Sequence, residues 1–129
     1  MNRLGELERA VMEVLWERGA PATARDVSRA LRARDLAYTT VMTVLDRLTK
    51  KGFVQRERMG RAWSYVPAAS REAYIARLML DALELTGDRD AALVRFARSV
   101  SNPEAEVLRD ALAQLEASRR SAKGGSGRA

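Results

Sequence analysis

The stretch YTTVMTVLDRLTKKG, residues 38–52, combines a helical apolar period with a polar opposite face. Val41, Val44, Leu45 and Leu48 are spaced i, i+3, i+4 and i+7, which predicts one buried stripe along a helix. The glycine at the end of the stretch can take the left-handed conformation that terminates a helix. The sequence therefore predicts an amphipathic helix over residues 38–51, packed on a core by one side.

The other side of this helix carries short or cationic polar groups. Residues 38–51 hold one acid, three bases and four threonines, whereas an ordinary exposed helix more often alternates Glu and Lys. Threonine hydroxyls and cationic side chains can meet phosphates and base edges of DNA. The outward face predicted from the periodicity comprises Thr39, Thr43, Asp46, Arg47 and Lys50, with Met42 at its edge.

Asp46 is the one acid among these candidate contacts, where a phosphate would repel it. We predict that it pairs with Lys50, four residues on. The alternative is that its carboxylate accepts a hydrogen bond from a cytosine amino group.

Two helices precede this segment and a hairpin follows it. Residues 4–18 have a helical apolar stripe, and Thr23 can cap a second helix. Residues 53–58 and 62–66 are two strand-like runs around Gly60, which a hairpin turn requires. Three helices followed by a two-stranded hairpin form a winged helix-turn-helix, so the predicted fold class is mainly α with a small β-hairpin.

The hairpin concentrates positive charge near its tip. Three arginines, Arg56, Arg58 and Arg61, lie beside the glycine turn, with Glu57 as the only acid. We predict that they contact a DNA backbone; a solvated charged turn is the alternative. Trp63 alternates with a tyrosine on one face of the second strand, and we expect it to pack on the core rather than to stack on bases.

The rest of the chain predicts three more helices, over about 70–86, 88–100 and 102–117. Their apolar stripes are too extensive for three short helices to bury alone, so pairing with a second copy is expected. An intramolecular bundle is the alternative. The predicted domains are a DNA-binding domain over 1–69, a helical dimerisation domain over 70–117 and a basic disordered tail over 118–129. The predicted dimerisation residues are Leu78, Leu83, Leu93, Phe96, Val100, Leu108, Leu112 and Leu115.

Composition narrows the functional classes. The 129 residues carry a net charge of +6, and residues 1–70 hold 13 Lys and Arg against 8 Asp and Glu, which favours a polyanionic partner. The chain has no Cys and no His, so thiolate chemistry, the usual general base and the commonest zinc ligand are missing. We expect no enzyme, no metal, no cofactor, no membrane insertion and a cytoplasmic location. The carboxylates expected to form a solvated acidic face are Asp81, Glu84, Asp88 and Asp90.

Three segments resemble the penicillinase and methicillin-resistance repressors of the BlaI/MecI type. They are LERAVMEVLW at 7–16, the stretch 38–52, and Tyr65-Val66-Pro67 at the end of the hairpin, and the resemblance extends over about residues 4–117. It implies a homodimeric repressor that binds a palindromic double-stranded DNA operator and controls β-lactam-response or related antibiotic-resistance genes. The DNA-facing positions that it implies are Tyr38, Thr39, Thr40, Thr43, Arg47, Lys50 and Lys51.

The resemblance also bears on how DNA is released. In the resembling staphylococcal-type repressors, a membrane sensor-protease pathway leads to cleavage of an Asn-Phe bond in the middle C-terminal helix. Here Phe96 matches, but Arg95 replaces the asparagine. Cleavage at Arg95–Phe96 is therefore a weaker expectation than the repressor function.

A second class of function remains open at this point. The winged helix could be a protein-interaction module without sequence-specific DNA binding. Such a module would show exposed apolar anchors on its third helix, where only Tyr38 and Met42 qualify.

Overall fold

A computed structural model describes residues 4–125. It confirms the predicted order of three helices, a hairpin and three helices. The chain divides into two compact units, with the division between Ala82 and Leu83. The elements are α1 (Glu6–Arg18), β1 (Ala22–Thr23), α2 (Ala24–Ala30), a 3₁₀ turn (Arg32–Arg34), α3 (Tyr38–Lys51), β2 (Val54–Met59), β3 (Ala62–Pro67), α4 (Arg71–Leu83), α5 (Arg89–Ser99) and α6 (Asn102–Gly125).

The apolar stripe of α3 is at the centre of the core. Val41, Val44, Leu45 and Leu48 are all buried, as predicted from their spacing. They join buried side chains of α1, α2 and the sheet in one cluster. Since burying a side chain of this size contributes roughly 1.5–3 kcal/mol, this stripe fixes the rotation of α3 about its axis.

The sheet has three strands, one more than the predicted hairpin. The short strand β1 pairs antiparallel with β3, so the strand order is β1-β3-β2. β1 runs directly into the cap of α2, where Thr23 Oγ1 accepts a hydrogen bond from the Asp26 N–H at 3.2 Å. Asp26 Oδ2 accepts one from the Thr23 N–H at 3.0 Å, which completes a capping box.

The hairpin turn has two residues. Met59 pairs with Ala62, which leaves Gly60 and Arg61 as the loop. Gly60 has a φ of 63°, in the left-handed region that glycine adopts without strain. Tyr65 of β3 is buried in the core, and Trp63 is half-buried against it. The prediction that Trp63 packs on the core is therefore confirmed.

Helix α4 packs on the winged helix, although the predicted boundary separated them at 69/70. Tyr74 is buried, with its ring centroid 5.8 Å from those of both Trp16 and Phe53. Its hydroxyl accepts a hydrogen bond from the Leu4 N–H at 3.1 Å. Arg71 Nη2 lies 2.6 Å from a carboxylate oxygen of Glu13 on α1. These contacts explain why the division into compact units falls later in the chain than the predicted boundary.

The prediction of a disordered tail is wrong for residues 118–125, which continue α6. The absence of apolar positions suggested disorder, but the segment extends a helix that already begins at Asn102, and its arginines, alanine and lysine favour that extension. An ion pair between Glu116 and Arg120 at 3.8 Å, four residues apart, adds local support. Residues 126–129 of the predicted tail lie outside the described residues.

A buried ion pair joins the start of α1 to the end of α3. Glu8 is only 5% exposed, and Lys51 Nζ lies 3.0 Å from its Oε1 and 2.8 Å from its Oε2. Burial raises the pKa of Glu8, but the hydrogen bonds from Lys51 and the Gly5 N–H and the charges of Lys51 and Arg47 outweigh it. The net pKa is below the usual 4.5.

We expect Glu8→Gln to destabilise the winged helix by about 1–3 kcal/mol at pH 7, because the variant leaves the Lys51 ammonium without its carboxylate. A lowered folded-state pKa means that this stabilisation is complete above the unfolded pKa and is lost as the pH falls through the folded pKa. Urea unfolding at a series of pH values should show wild type and variant converging as the pH falls below about 4.5.

Glu6→Gln is the matched control, because Glu6 is exposed and its partner Arg34 lies 3.7 Å away. It should cost little at any pH. Equal losses of stability in the two variants would contradict a structural role for the buried pair.

Candidate nucleic-acid interface

The face of α3 opposite the core is open to solvent. Tyr38 and Met42 are 44% and 41% exposed, and Thr39, Thr43, Arg47 and Lys50 are exposed as well. Thr40 is half-buried at the side of the helix. The Thr43 hydroxyl donates to the Thr39 carbonyl at 2.9 Å, which leaves its oxygen lone pairs and its methyl group available to a ligand.

Asp46 and Lys50 form the predicted pair. Lys50 Nζ lies 3.1 Å from Asp46 Oδ2, four residues back on the same helix. Both side chains are at least half exposed, so the pair is worth only a few tenths of a kcal/mol. A phosphate could therefore replace the carboxylate as the partner of Lys50 at small cost.

Lys51 differs from the other predicted contacts of α3. Its ammonium is held by the two carboxylate oxygens of the buried Glu8. Moving Lys51 to a phosphate would leave Glu8 charged and buried without its main partner, which is costly. The structure thus gives Lys51 a role in joining α3 to α1, which the sequence-based assignment to DNA missed.

Two wing arginines stack on Trp63. The Arg56 and Arg58 guanidinium carbons lie 4.3 and 5.0 Å from its ring centroid. The strand register explains this, since Arg58 is directly opposite Trp63 and Arg56 is opposite Tyr65, on the same face of the hairpin. The indole restricts both cations without neutralising them. Arg61 stands apart in the loop.

Ion pairing divides the cations of the winged helix into two groups. Within residues 4–82, the arginines and lysines of α1, of α4 and of the C-terminal end of α3 have carboxylate partners, as does Arg34. Every cation of this range without an ion pair lies on α2, on the following 3₁₀ turn, on α3 or on the wing. These are Arg25, Arg29, Arg32, Arg47, Arg56, Arg58 and Arg61.

A groove of about 270 Å³ separates the start of α3 from the wing. Tyr38 and Met42 line it from α3, and Arg61 and Trp63 line it from the wing. Arg25 of α2 also lines it, with its guanidinium carbon 5.8 Å from the centroid of the Tyr38 ring. The sequence pattern did not single out Arg25 as a contact. The sequence feature that could have indicated it is an arginine in the first turn of α2, just after the Thr23 cap.

The predicted dimerisation residues leave much apolar surface uncovered in the single chain. Leu93, Phe96, Leu108, Leu112 and Leu115 are all more than a third exposed, and the other three are half-buried. α4 adds Ile75 and Met79, four residues apart and both exposed. In the described part of the second compact unit, no large apolar side chain is fully buried, so an intramolecular bundle does not satisfy these stripes.

Two carboxylates of the predicted acidic face take part in local contacts. Asp88 Oδ1 accepts a hydrogen bond from the Ala91 N–H at 3.0 Å and caps α5, and Asp81 lies 3.9 Å from Arg77. Among the described residues, no three carboxylates are grouped so that they could hold a metal ion. No helix in residues 4–125 is both long and apolar enough to cross a membrane.

The arrangement defines a winged-helix protein of the transcription-regulator class. Comparison with known proteins specifies the family: residues 4–114 match the penicillinase repressor family, and the chain belongs to it. It is 55% identical over 121 residues to the transcriptional regulator BlaI of two Mycobacterium tuberculosis strains, covering 91% of this chain and 88% of theirs. A solution structure of the DNA-binding domain of the repressor BlaI matches with 27% identity and a TM-score of 0.51, covering 57% of this chain and 89% of that one.

We expect Trp63→Leu to release the two stacked wing arginines while the domain stays folded. The indole supplies the face on which their guanidinium groups lie, and leucine has no such face. The guanidinium N–H signals of Arg56 and Arg58, followed by ¹⁵N NMR relaxation, should report faster motion than in the wild type. Arg61 serves as an internal control, because no stacking restrains it. Unchanged relaxation of Arg56 and Arg58 would contradict the stacking role.

Proposed function

We propose that this protein is a homodimeric transcriptional repressor that binds a palindromic operator through its winged helix. The observation that carries the proposal is the outward face of α3, where threonines and Arg47 are exposed beside a surface of cations without ion pairs. Family membership and the similarity to BlaI support the same function. The proposal also holds that the protein is cytoplasmic, does not insert into a membrane, and has neither a cofactor nor a catalytic activity.

The proposed contacts divide into reading and positioning groups. Residues of α3 enter the major groove, where threonine side chains can reach base edges and the Arg47 guanidinium contacts a phosphate. The arginines of the wing contact phosphates, which position the protein without reading sequence. Lys51 is left out because Glu8 holds it. The proposed DNA contacts are Tyr38, Thr39, Thr40, Thr43, Arg47, Lys50, Arg56, Arg58 and Arg61.

The protein-interaction alternative requires apolar anchors on α3. Only Tyr38 and Met42 are exposed large apolar side chains there, and both adjoin the cation-lined groove. Such a surface suits a nucleic acid better than an apolar protein groove.

We expect Arg47→Gln to weaken operator binding and to reduce its salt dependence. Removing one phosphate contact lowers the slope of log K against log salt by about 0.9. Because both copies of the dimer lose the contact, the slope for the dimer should fall by about 1.8. Fluorescence anisotropy on a duplex selected by the protein from a random pool measures this. Arg9→Gln is the charge-matched control, since Arg9 pairs with Glu13 on α1. If both variants behave alike, Arg47 is not a contact.

The exposed apolar stripes of α5 and α6 are the proposed dimer interface. A twofold dimer places two recognition helices about one helical turn of DNA apart, which matches two half-sites of a palindrome. The linked second contact can raise the overall affinity by about 10²–10⁴ without any new contact to DNA. The proposed interface comprises the same eight residues that the sequence predicted.

We expect Leu112→Glu to produce a monomer. Leu112 is 58% exposed in the single chain, so a charge there does not disturb the fold of one copy, but it would be buried against a second. Sedimentation should show a single subunit, and affinity for the palindrome should fall about 10²-fold or more while binding to one half-site is unchanged. Gln114→Glu, on the same helix with the same charge change, should remain dimeric. A dimeric Leu112→Glu variant would contradict this interface.

Release of the operator by proteolysis is a further part of the proposal. Phe96 is 41% exposed on α5, within the proposed dimer interface, and Arg95 precedes it. Cutting there would remove α6 from the rest of the chain and so separate the copies. A membrane sensor-protease pathway and β-lactam-response genes are the proposed upstream and downstream partners.

A further inference from the structure

Helix α2 and the turn after it carry a ridge of three arginines. Arg25 and Arg29 are four residues apart on one side of α2, and Arg32 follows in the 3₁₀ turn. All three are exposed, and none has an ion pair within residues 4–125. With Ser28 and Tyr38 they line a depression of about 480 Å³.

Two carboxylates lie near this ridge. Asp26 accepts a hydrogen bond from the Thr23 N–H at 3.0 Å and pairs with Arg18 at 3.4 Å, and the hydrogen bonds from Thr23 with the charges of Arg18 and Arg29 lower its pKa. Asp35 lines the depression itself, at the end of the 3₁₀ turn. Three cations against one unmatched acid leave the ridge strongly positive.

The ridge is continuous with the surface proposed to bind the operator. Arg25 and Tyr38 line both this depression and the groove between α3 and the wing. The cationic surface therefore runs from Arg61 on the wing, past the start of α3, to Arg32.

We propose that the ridge binds phosphates of the duplex that flanks the half-site. Residues 25–32 carry all three arginines, and the ridge is long enough to reach more than one phosphate of a strand. Guanidinium groups can bind phosphate oxygens with two hydrogen bonds each. Because phosphates carry no sequence, the ridge adds affinity and lengthens the site without adding base preference. This inference rests on the proposed repressor function.

The test uses the full-length protein and a duplex that it selects from a random pool. One version is trimmed to the selected core, and the other has about ten base pairs of arbitrary sequence added on each side, roughly one helical turn. The ridge variant is Arg29→Gln with Arg32→Gln. The charge-matched control is Arg9→Gln with Arg34→Gln, whose side chains pair with Glu13 at 3.9 Å and Glu6 at 3.7 Å.

We expect the ridge variant to bind more weakly to the long duplex alone. Since each copy of the dimer then lacks two phosphate-binding arginines, its salt slope there should fall by about 3.6, while the short duplex and the control double variant change little. Equal binding of the ridge and control variants to the long duplex would overturn the inference. The inference would also be overturned if the ridge variant bound the long duplex as tightly as the wild type but lost affinity for polyglutamate. That result would indicate an acidic protein partner.

Arg47→Gln separates this failure from failure of the proposed function. If the protein is a repressor of the proposed kind, Arg47→Gln weakens binding to both duplexes whatever the ridge does. If Arg47→Gln changes the affinity for neither duplex, the DNA-binding surface itself is wrongly assigned. The ridge inference, which depends on that surface, is then wrong as well.

Discussion

Burial of Val41, Val44, Leu45 and Leu48 decides the direction of every other side chain on α3. Successive residues of a helix are rotated by about 100°, so turning α3 by one position would bring leucines into water and polar groups into the core. At roughly 1.5–3 kcal/mol for each side chain, such a rotation is excluded. The exposure of Thr39, Thr43 and Arg47 is therefore a consequence of the core and needs no bound partner to maintain it.

The same geometry explains why Lys51 differs from the other predicted contacts of α3. Lys51 follows Leu48 by three positions and Val44 by seven, so it continues the edge of the buried stripe and not the polar face. Its neighbour in space is Glu8, a carboxylate from another helix, and periodicity within one segment cannot reveal such a pair. Arg47 and Lys50 lie further around the helix and remain exposed. A cation on a helix of this kind can therefore hold the helix in place, as Lys51 does through Glu8.

Other elements differed in how much local signal they carried. The helices and the hairpin of the winged helix were predictable because each has a clear apolar period or a turn glycine. β1 has only two residues, too few for any alternation, and depends on pairing with β3 far along the chain. The packing of α4 through Tyr74 likewise requires contacts with distant residues. For residues 118–125, missing apolar positions argued against a core but said nothing about helix formation.

Charge placement completes the connection from fold to function. A net charge of +6 does not show which surface would bind a polyanion, but the distribution of ion pairs does. Within residues 4–82, the paired cations join α1 to its neighbours or lie beside acids of their own helix, and those without an ion pair lie on α2, the following 3₁₀ turn, α3 and the wing. In the proposed complex, phosphate contacts set affinity and salt dependence, while the short side chains of α3 leave base discrimination to a few groups. With so few reading groups in each copy, tight binding depends on the second copy. In the proposed dimer, loosening the exposed stripes of α5 and α6 would therefore release DNA without altering the surface proposed to read it.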